Sequence, residues 1–380
     1  MKVALIHDWL PFMGGAERVL TNFLEIYPDA PIYTTVANKE KLDSPLKEAD
    51  IRVSHLQKGK KSIDNHRKLF PFMPTAIESF NLNEYDIVLS SSSSVAKGII
   101  TNPNTMHICY CHSPMRYGWE FSYEYAGKMA GKSKIVNKAL SYFLSGMRLW
   151  DNSSSDRVDY FIANSENVSK RIWKHYRRES VVIHPPVRCN LFKPSEIDEE
   201  YFLILSRLQE YKRIDVAVEA FNKNGLPLVI IGDGPEREKL EKMAKSNIKF
   251  LGRQPDDIIK GYYSKCKAFI FPGEEDFGIT PLEAQASGRP VIAYGKGGAL
   301  ETVVNGVTGV FFEEQNQESL NEAIKKFNTI KFDKFKIRKH AEKFDESIFK
   351  AKIEKFINDC YIEFKEKKHW KVIEVEDDSI

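Results

Sequence analysis

From Ala268 to Tyr294 the chain passes through an apolar run, a Pro-Gly stop, an acidic loop, a short helical segment and a second apolar run. Ala268 to Phe271 is short and apolar enough for a buried strand. Pro272 and Gly273 stop it. Glu274, Glu275 and Asp276 follow, then Phe277 and Gly278. Thr280 before Pro281 reads as an N-cap with proline at the first helical position. Leu282, Ala284, Gln285 and Ala286 continue a helix that Gly288 ends. Val291 to Tyr294 is the next strand, and Gly295, Gly297 and Gly298 make a glycine loop. The same strand–helix alternation runs through both halves of the chain, so the expected class is α/β with two doubly wound, Rossmann-like domains.

A strand feeding a helix start leaves unpaired backbone N–H groups around Gly278 to Leu282. They lie at the positive end of the helix dipole, which suits a diphosphate. Glu275 sits before the helix and Glu283 in its first turn, eight positions on. Two carboxylates so close to a phosphate would repel it, so they read better as hydrogen-bond acceptors for hydroxyls on either side. A nucleotide sugar has that layout: sugar hydroxyls, diphosphate, ribose. On the two acids alone, a solvated loop acid and a helix-dipole acid serve equally well.

The whole stretch resembles the signature of retaining glycosyltransferases of family four with the GT-B fold, E-x-F-G-x-x-x-x-E-A, on Glu275, Phe277, Gly278, Glu283 and Ala284. Gly288, Pro290, Val291, Gly297, Gly298 and Glu301 continue the match. The resemblance implies that Glu275 contacts sugar hydroxyls, that Glu283 contacts the ribose, and that Phe277, Gly278, Ile279, Thr280, Pro281 and Leu282 hold sugar and phosphate, largely through backbone amides. It implies a C-terminal helix crossing back to the first domain.

Bulk properties bound the reading. A chain of 380 residues exceeds the roughly 250–300 at which a single core stops growing, so two domains are expected. These are 1–190, with the last helix from about 350 to 380 added, and 191–349. A net charge of +3 argues against a nucleic-acid footprint. Five cysteines, an odd number, fit a reducing compartment without a disulfide framework. MKVALIHDW reads as a first strand rather than a signal peptide. No apolar stretch approaches the ~20 residues needed to span a bilayer. The expected location is the cytoplasm, with or without peripheral contact at the inner membrane face.

In chain order, Lys2 to Ile6 reads as a buried strand, and Gly14-Gly15 opens a helix from Ala16 to Ile26. The G-x-G-x-x-G fingerprint is absent. The resemblance places Gly14 and Gly15 near the donor phosphates and the acceptor, with Glu17 close by. Ile32 to Thr35 and Ile51 to Leu56 are strand candidates. A basic run follows (Lys58, Lys60, Lys61, His66, Arg67, Lys68), then the apolar segment Leu69 to Met73. Such a pattern docks on anionic membranes or is simply a solvated face. Ile135, Val136, Ala139, Leu140, Phe143, Leu144 and Met147 stripe a later helix beside Lys128, Lys132, Lys134 and Lys138. Core packing accounts for that stripe as well as membrane contact does.

Asp86 to Ser90 is a strand running into five serines, Ser90 to Ser94, which read either as cleft-lining donors or as a low-complexity loop. HICYCH at His107 to His112 invites a zinc reading, but no second Cys/His pair lies at a matching spacing. The better reading is a strand that delivers His112 to its end. In the resembling family a histidine here approaches the donor sugar. CHSPMRYGWE and RLWDNSSSDRVDYFIANS look like bacterial mannosyltransferases of that family. His184-Pro185-Pro186-Val187 and the polar residues to Glu200 form the best linker. Tyr201 to Ser206 begins the second half, with Arg207 and Lys212 around the next turn, two cations suited to a diphosphate leaving group. The resemblance assigns both to the phosphates, and gives the loop at Gly252-Arg253 to the nucleotide base.

The resemblance, closest to GDP-mannose-dependent enzymes of surface-polysaccharide assembly, implies a retaining glycosyltransferase that moves mannose from GDP-mannose to a lipid-linked or oligosaccharide acceptor. His112, Arg207, Lys212 and Glu275 would carry the chemistry. No cofactor is expected beyond the donor substrate, and no metal, because no compelling D-x-D motif is present and cations and helix start can meet the leaving charge. Alternatives are a UDP-sugar-dependent transferase of the same fold, a nucleotide-sugar epimerase and a non-catalytic glycan-binding module.

Overall fold

The computed structural model describes residues 1–120 and 134–366. Lys128, Lys132 and the acidic tail Glu374 to Asp378 lie outside them.

Two sheets carry the described chain. The first has β1 (Val3–His7), β2 (Ile32–Thr34), β3 (Ile51–Val53), β4 (Ile87–Ser92), β5 (Met106–Cys111), β6 (Tyr160–Ala163) and β7 (Val181–Val182), in the order β3-β2-β1-β4-β5-β6-β7. The second has β8 (Phe202–Leu205), β9 (Leu228–Ile231), β10 (Ile248–Gly252), β11 (Ala268–Phe271), β12 (Val291–Tyr294) and β13 (Gly309–Phe312), in the order β10-β9-β8-β11-β12-β13. Every pairing in the second sheet is parallel. In both sheets the order reverses beside the first strand, between β1 and β4 and between β8 and β11. In such sheets ligands bind outside the carboxyl ends of the strands at that reversal.

The second sheet explains why its strands read as unbroken apolar runs. Phe202, Ile204, Leu228, Ile230, Ala268, Ile270 and Ile292 belong to one buried cluster. Their alternates Leu203, Val229, Ile231, Phe269, Phe271, Val291 and Ala293 belong to another. Side chains alternate across a strand, so a sheet buried on both faces needs apolar residues at every position.

The chain divides into two compact units. One comprises Met1–Ile162, His175–Ser180 and the stretch beginning at Lys350; the other comprises Ala163–Lys174 and Val181–Phe349. The linker read at 184–200 lies within the second unit, downstream of the last change of unit before it, at Ser180–Val181. The last described helix, Glu346–Glu366, begins in the second unit and from Lys350 belongs to the first. There Phe356 meets Tyr160 edge-on with ring centroids 6.5 Å apart, and Lys350 pairs with Glu25 at 2.5 Å. On this helix Phe349, Ile353, Ile357 and Cys360 are buried, whereas Ile348 is exposed.

Several local expectations are corrected. β3 ends at Val53 rather than Leu56, because it is the sheet's edge and only three of its residues pair with β2. His66 does not share the exposed face of the basic run. It is buried near Trp9, and burial holds its imidazole below the ordinary value. In the helix Lys134–Ser155, Leu144 and Met147 are buried while Val136 and Ala139 face solvent, so only the inner part of the stripe is core. Among the described residues no helix is long and apolar enough to cross a membrane.

Candidate functional site

In the second unit three loops meet at the carboxyl ends of β8, β11 and β12. The first follows β8 and carries Ser206, exposed Arg207 and a 3-10 turn, Glu210–Lys212. The second follows β11 and carries Glu274, Glu275 and Asp276. The third is the glycine loop after β12. It lies so close that a Cβ on Gly298 would stand 2.2 Å from Phe277 Cα. The Gly298 amide donates to the Glu275 carbonyl at 2.9 Å.

The acids of the second loop have separate partners. The Glu275 carboxylate is ion-paired with Lys212, whose side chain is 20% exposed. Asp276 is ion-paired with Arg171. Phe277 is buried, its ring stacked on His184 at 5.2 Å. His184 Nε2 in turn lies 3.0 Å from Glu301 Oε2. Glu301 also accepts the backbone N–H groups of Glu166 at 2.8 Å and Asn167 at 3.1 Å, at the start of the helix Glu166–Tyr176. Burial pushes the Glu301 carboxyl up, but the hydrogen bonds from His184, Glu166 and Asn167 outweigh it and leave it below the usual range. Glu301 is visible in the sequence only as a motif position. Arg171 carries no sequence signal, and its partner lies 105 positions away.

The helix start differs from expectation. The helix runs Ile279–Ala286, its N-cap is Gly278 at φ +93°, and no side chain caps it. Thr280 is therefore inside the first turn rather than at the cap. Glycine is needed here because a left-handed turn lifts the chain off the acidic loop, and other residues rarely adopt it. Pro281, without an N–H, occupies a first-turn position where none is required. Gly278, Ile279 and Thr280 are thus the amides such a start leaves without an intrahelical acceptor. Pro281 and Leu282 are buried, so with Phe277 they offer a ligand little beyond backbone. Glu283 is 3% exposed and accepts the Tyr263 hydroxyl at 3.0 Å. Gly252 ends β10 at φ +67°, its carbonyl accepting from Gly232 at 2.8 Å, and Arg253 beyond it is exposed.

In the first unit β5 ends at Cys111 and delivers His112 just beyond, where its amide donates to the Ser92 carbonyl at 2.8 Å. The serine run begins inside the sheet rather than in a loop. Ser90, Ser91 and Ser92 are strand residues of β4, and all three are buried. Ser90 Oγ lies 2.8 Å from His107 Nε2, and Ser91 Oγ lies 2.8 Å from His112 Nε2. Burial pushes His107 down to about 3, and burial followed by the neighbouring His7 lowers His112. The start of the following loop is tied by Asp8. Its carboxylate accepts the amides of Ser93, Val95 and Ala96 at 2.7 Å each and the Ser93 hydroxyl at 2.9 Å. Gly14 is the extended N-cap of the helix Gly15–Ile26, with Glu17 in its first turn. Cys109 and Cys111 are buried thiols that form no disulfide, and burial pushes Cys109 up to about 12.

Two family models meet near the middle of this chain. "Glycosyltransferase Family 4" matches residues 13–191, and "Glycosyl transferases group 1" matches residues 188–350. The chain belongs to the family-four glycosyltransferases. The fold of this family member is GT-B, two parallel-sheet Rossmann-like domains. It is 24% identical over 285 residues to alpha-1,3/1,6-mannosyltransferase ALG2 of Dictyostelium discoideum, covering 60% of this chain and 64% of that protein. It is 30% identical over 212 residues to a probable sucrose-phosphate synthase of Thermosipho melanesiensis, covering 50% and 47%. The matched part thus falls short of two thirds of those relatives' own lengths. Among solved structures it resembles Anabaena HepE in complex with UDP, with a TM-score of 0.68, 19% identity and coverage of 94% and 100%.

Proposed function

We propose that this protein transfers mannose from GDP-mannose to a hydroxyl of a lipid-linked or oligosaccharide acceptor in surface-glycan assembly, retaining the anomeric configuration. The observation that carries the reading is the Lys212–Glu275 pair beside the Gly278 helix start, at the β8/β11 reversal. An acid suited to sugar hydroxyls, a cation suited to phosphate and three first-turn amides lie within one loop cluster. In this reading the anomeric C–O bond breaks and its electron pair passes to the diphosphate. Arg207, Lys212 and the amides of Gly278, Ile279 and Thr280 stabilise that charge. The acceptor oxygen forms the new bond on the same face, and its proton leaves on the departing phosphate oxygen. Glu275 orients the sugar, Glu283 the ribose and the Gly252-Arg253 loop the base; the sequence resemblance adds Gly14, Gly15 and His112 to the residues that hold the donor. No metal takes part.

Mannose is supported by the Dictyostelium relative's name and by the sequence resemblance. A UDP-sugar donor is the second reading, favoured by the UDP in the HepE complex. Thermal denaturation with GDP-mannose, UDP-glucose, GDP or UDP separates them, since a ligand that binds the native state raises Tm. GDP-mannose and GDP are expected to raise it most. A shift with the uridine pair alone would overturn the donor, and no shift with any would overturn the site.

The membrane reading rests on Lys58, Lys60, Lys61, Arg67 and Lys68, all exposed, and on Phe72, which is 60% exposed beside them. Flotation on anionic liposomes should weaken when the five charges are changed to glutamine. Undiminished flotation would remove this segment from the account.

A further inference from the structure

Four polar side chains of the first unit form a continuous line. Glu17 Oε1 lies 3.6 Å from His7 Nε2. His7 Nδ1 lies 3.1 Å from Ser91 Oγ, and Ser91 Oγ lies 2.8 Å from His112 Nε2. Glu17, His7 and Ser91 are 6%, 2% and 0% exposed. The line is built by the sheet. β1 runs beside β4 with His7 opposite Ser91, and Glu17 stands in the first turn of the helix that the Gly14-Gly15 turn opens.

A serine hydroxyl has one hydrogen, so Ser91 can donate to only one of the two imidazoles it touches. A carboxylate facing His7 Nε2 favours the hydrogen on that nitrogen. In the neutral ring Nδ1 is then the acceptor, and it takes the Ser91 hydrogen. Ser91 Oγ must accept from the other side, which requires the hydrogen of His112 to sit on Nε2. The opposite arrangement would set the Nε2 lone pair of His7 against the Glu17 carboxylate. The Tyr110 ring, 5.2 Å from His112 at 63°, adds an aromatic contact on the imidazole.

We propose that Glu17 is a positioning residue which, through His7 and Ser91, holds His112 as its Nε2–H tautomer. Nδ1 of His112 is thereby kept as the acceptor nitrogen, the form suited to receive a sugar hydroxyl. The functional consequence rests on the reading of His112 as a donor-site residue; the tautomer itself does not.

The test is long-range 1H–15N correlation on the histidine-labelled full chain at pH 8, with His7 and His112 assigned by H7N and H112N. Wild type should show His112 with a protonated Nε2. Glu17→Met should give a mixture of His112 tautomers. Glu17→Gln, which keeps an acceptor oxygen, should restore the single form. Ser91→Ala should uncouple His112 from any change at residue 17. A His112 protonated at Nδ1 in the wild type, or one unmoved by Glu17→Met with native Tm, overturns the proposal. Turnover is read separately: Glu17→Met should lower kcat about tenfold, with the KM for GDP-mannose within about twofold. If the tautomer shifts and kcat holds, the coupling stands and the donor-site role of His112 falls.

Discussion

Lys212 and Glu275 are ion-paired across the carboxyl ends of β8 and β11, 63 positions apart in sequence. Each is less than a quarter exposed, so each helps set the charge that the other presents. Removing the lysine leaves an unbalanced carboxylate where a diphosphate is proposed to bind. Removing the acid leaves the cation in place.

The two single substitutions should therefore differ in kind. Lys212→Ala is expected to raise the KM for the nucleotide sugar and to lower kcat/KM at least about tenfold. Glu275→Ala is expected to lower kcat by about as much with a smaller change in KM. The double variant should lose less than the product of the two, since contacting groups are coupled. Steady-state kinetics on the three variants checks this; independent, multiplicative losses would contradict it.

Glu301 ties two segments of the second unit, bonding two helix-start amides and His184. Glu301→Ala should cost about 1–2 kcal/mol, the usual range for losing a helix cap. In a domain of this size that lowers Tm by about 2–8 °C. Calorimetry reads it, and an unchanged Tm would mean that the bonds contribute nothing net.

His107 supplies a pH dependence with a definite sign. Burial lowers its folded pKa to about 3 from the ordinary value of 6.5, so the unfolded chain binds the extra proton. Stability from this group is complete above pH 6.5 and is lost as pH falls towards 3, at about 1.4 kcal/mol per pH unit. His107→Asn should flatten the fall in Tm between pH 6.5 and 5, whatever its effect at pH 8. An equal slope in both proteins would remove His107 as the cause.

Lys97 and Asp151 form a buried pair at 2.9 Å in the first unit, and Asp151 also accepts Trp119 Nε1 at 2.7 Å and the Tyr176 hydroxyl at 2.8 Å. Asp151→Asn or Lys97→Met should each destabilise by about 3–5 kcal/mol, because the remaining charge stays buried. Lys97→Met with Asp151→Asn should recover part of that loss. Denaturant unfolding of the three variants decides; strictly additive losses would argue against a coupled pair.

Much of the architecture was legible from residue order. The strand read at Ala268 to Phe271 matches β11, and Val291 to Tyr294 matches β12. Family four was legible from fixed spacing between Glu275 and Glu283. The cap was misread because Thr280-Pro281 is a good local start signal, yet Gly278 alone takes the left-handed turn this loop needs. The serine run stayed open between two readings because composition does not tell a loop from a strand whose hydroxyls meet histidines.

The sequence by itself determined the elements, the doubly wound class and the family, since apolar period, turn residues and motif spacing are local properties of the chain. Tertiary structure alone decided the partners: Lys212 for Glu275, Arg171 for Asp276, and Ser91 for both His7 and His112. Those contacts depend on which strands become neighbours in a sheet. Strand order brings together residues 84 positions apart, as with His7 and Ser91, and no pattern within either segment encodes that meeting.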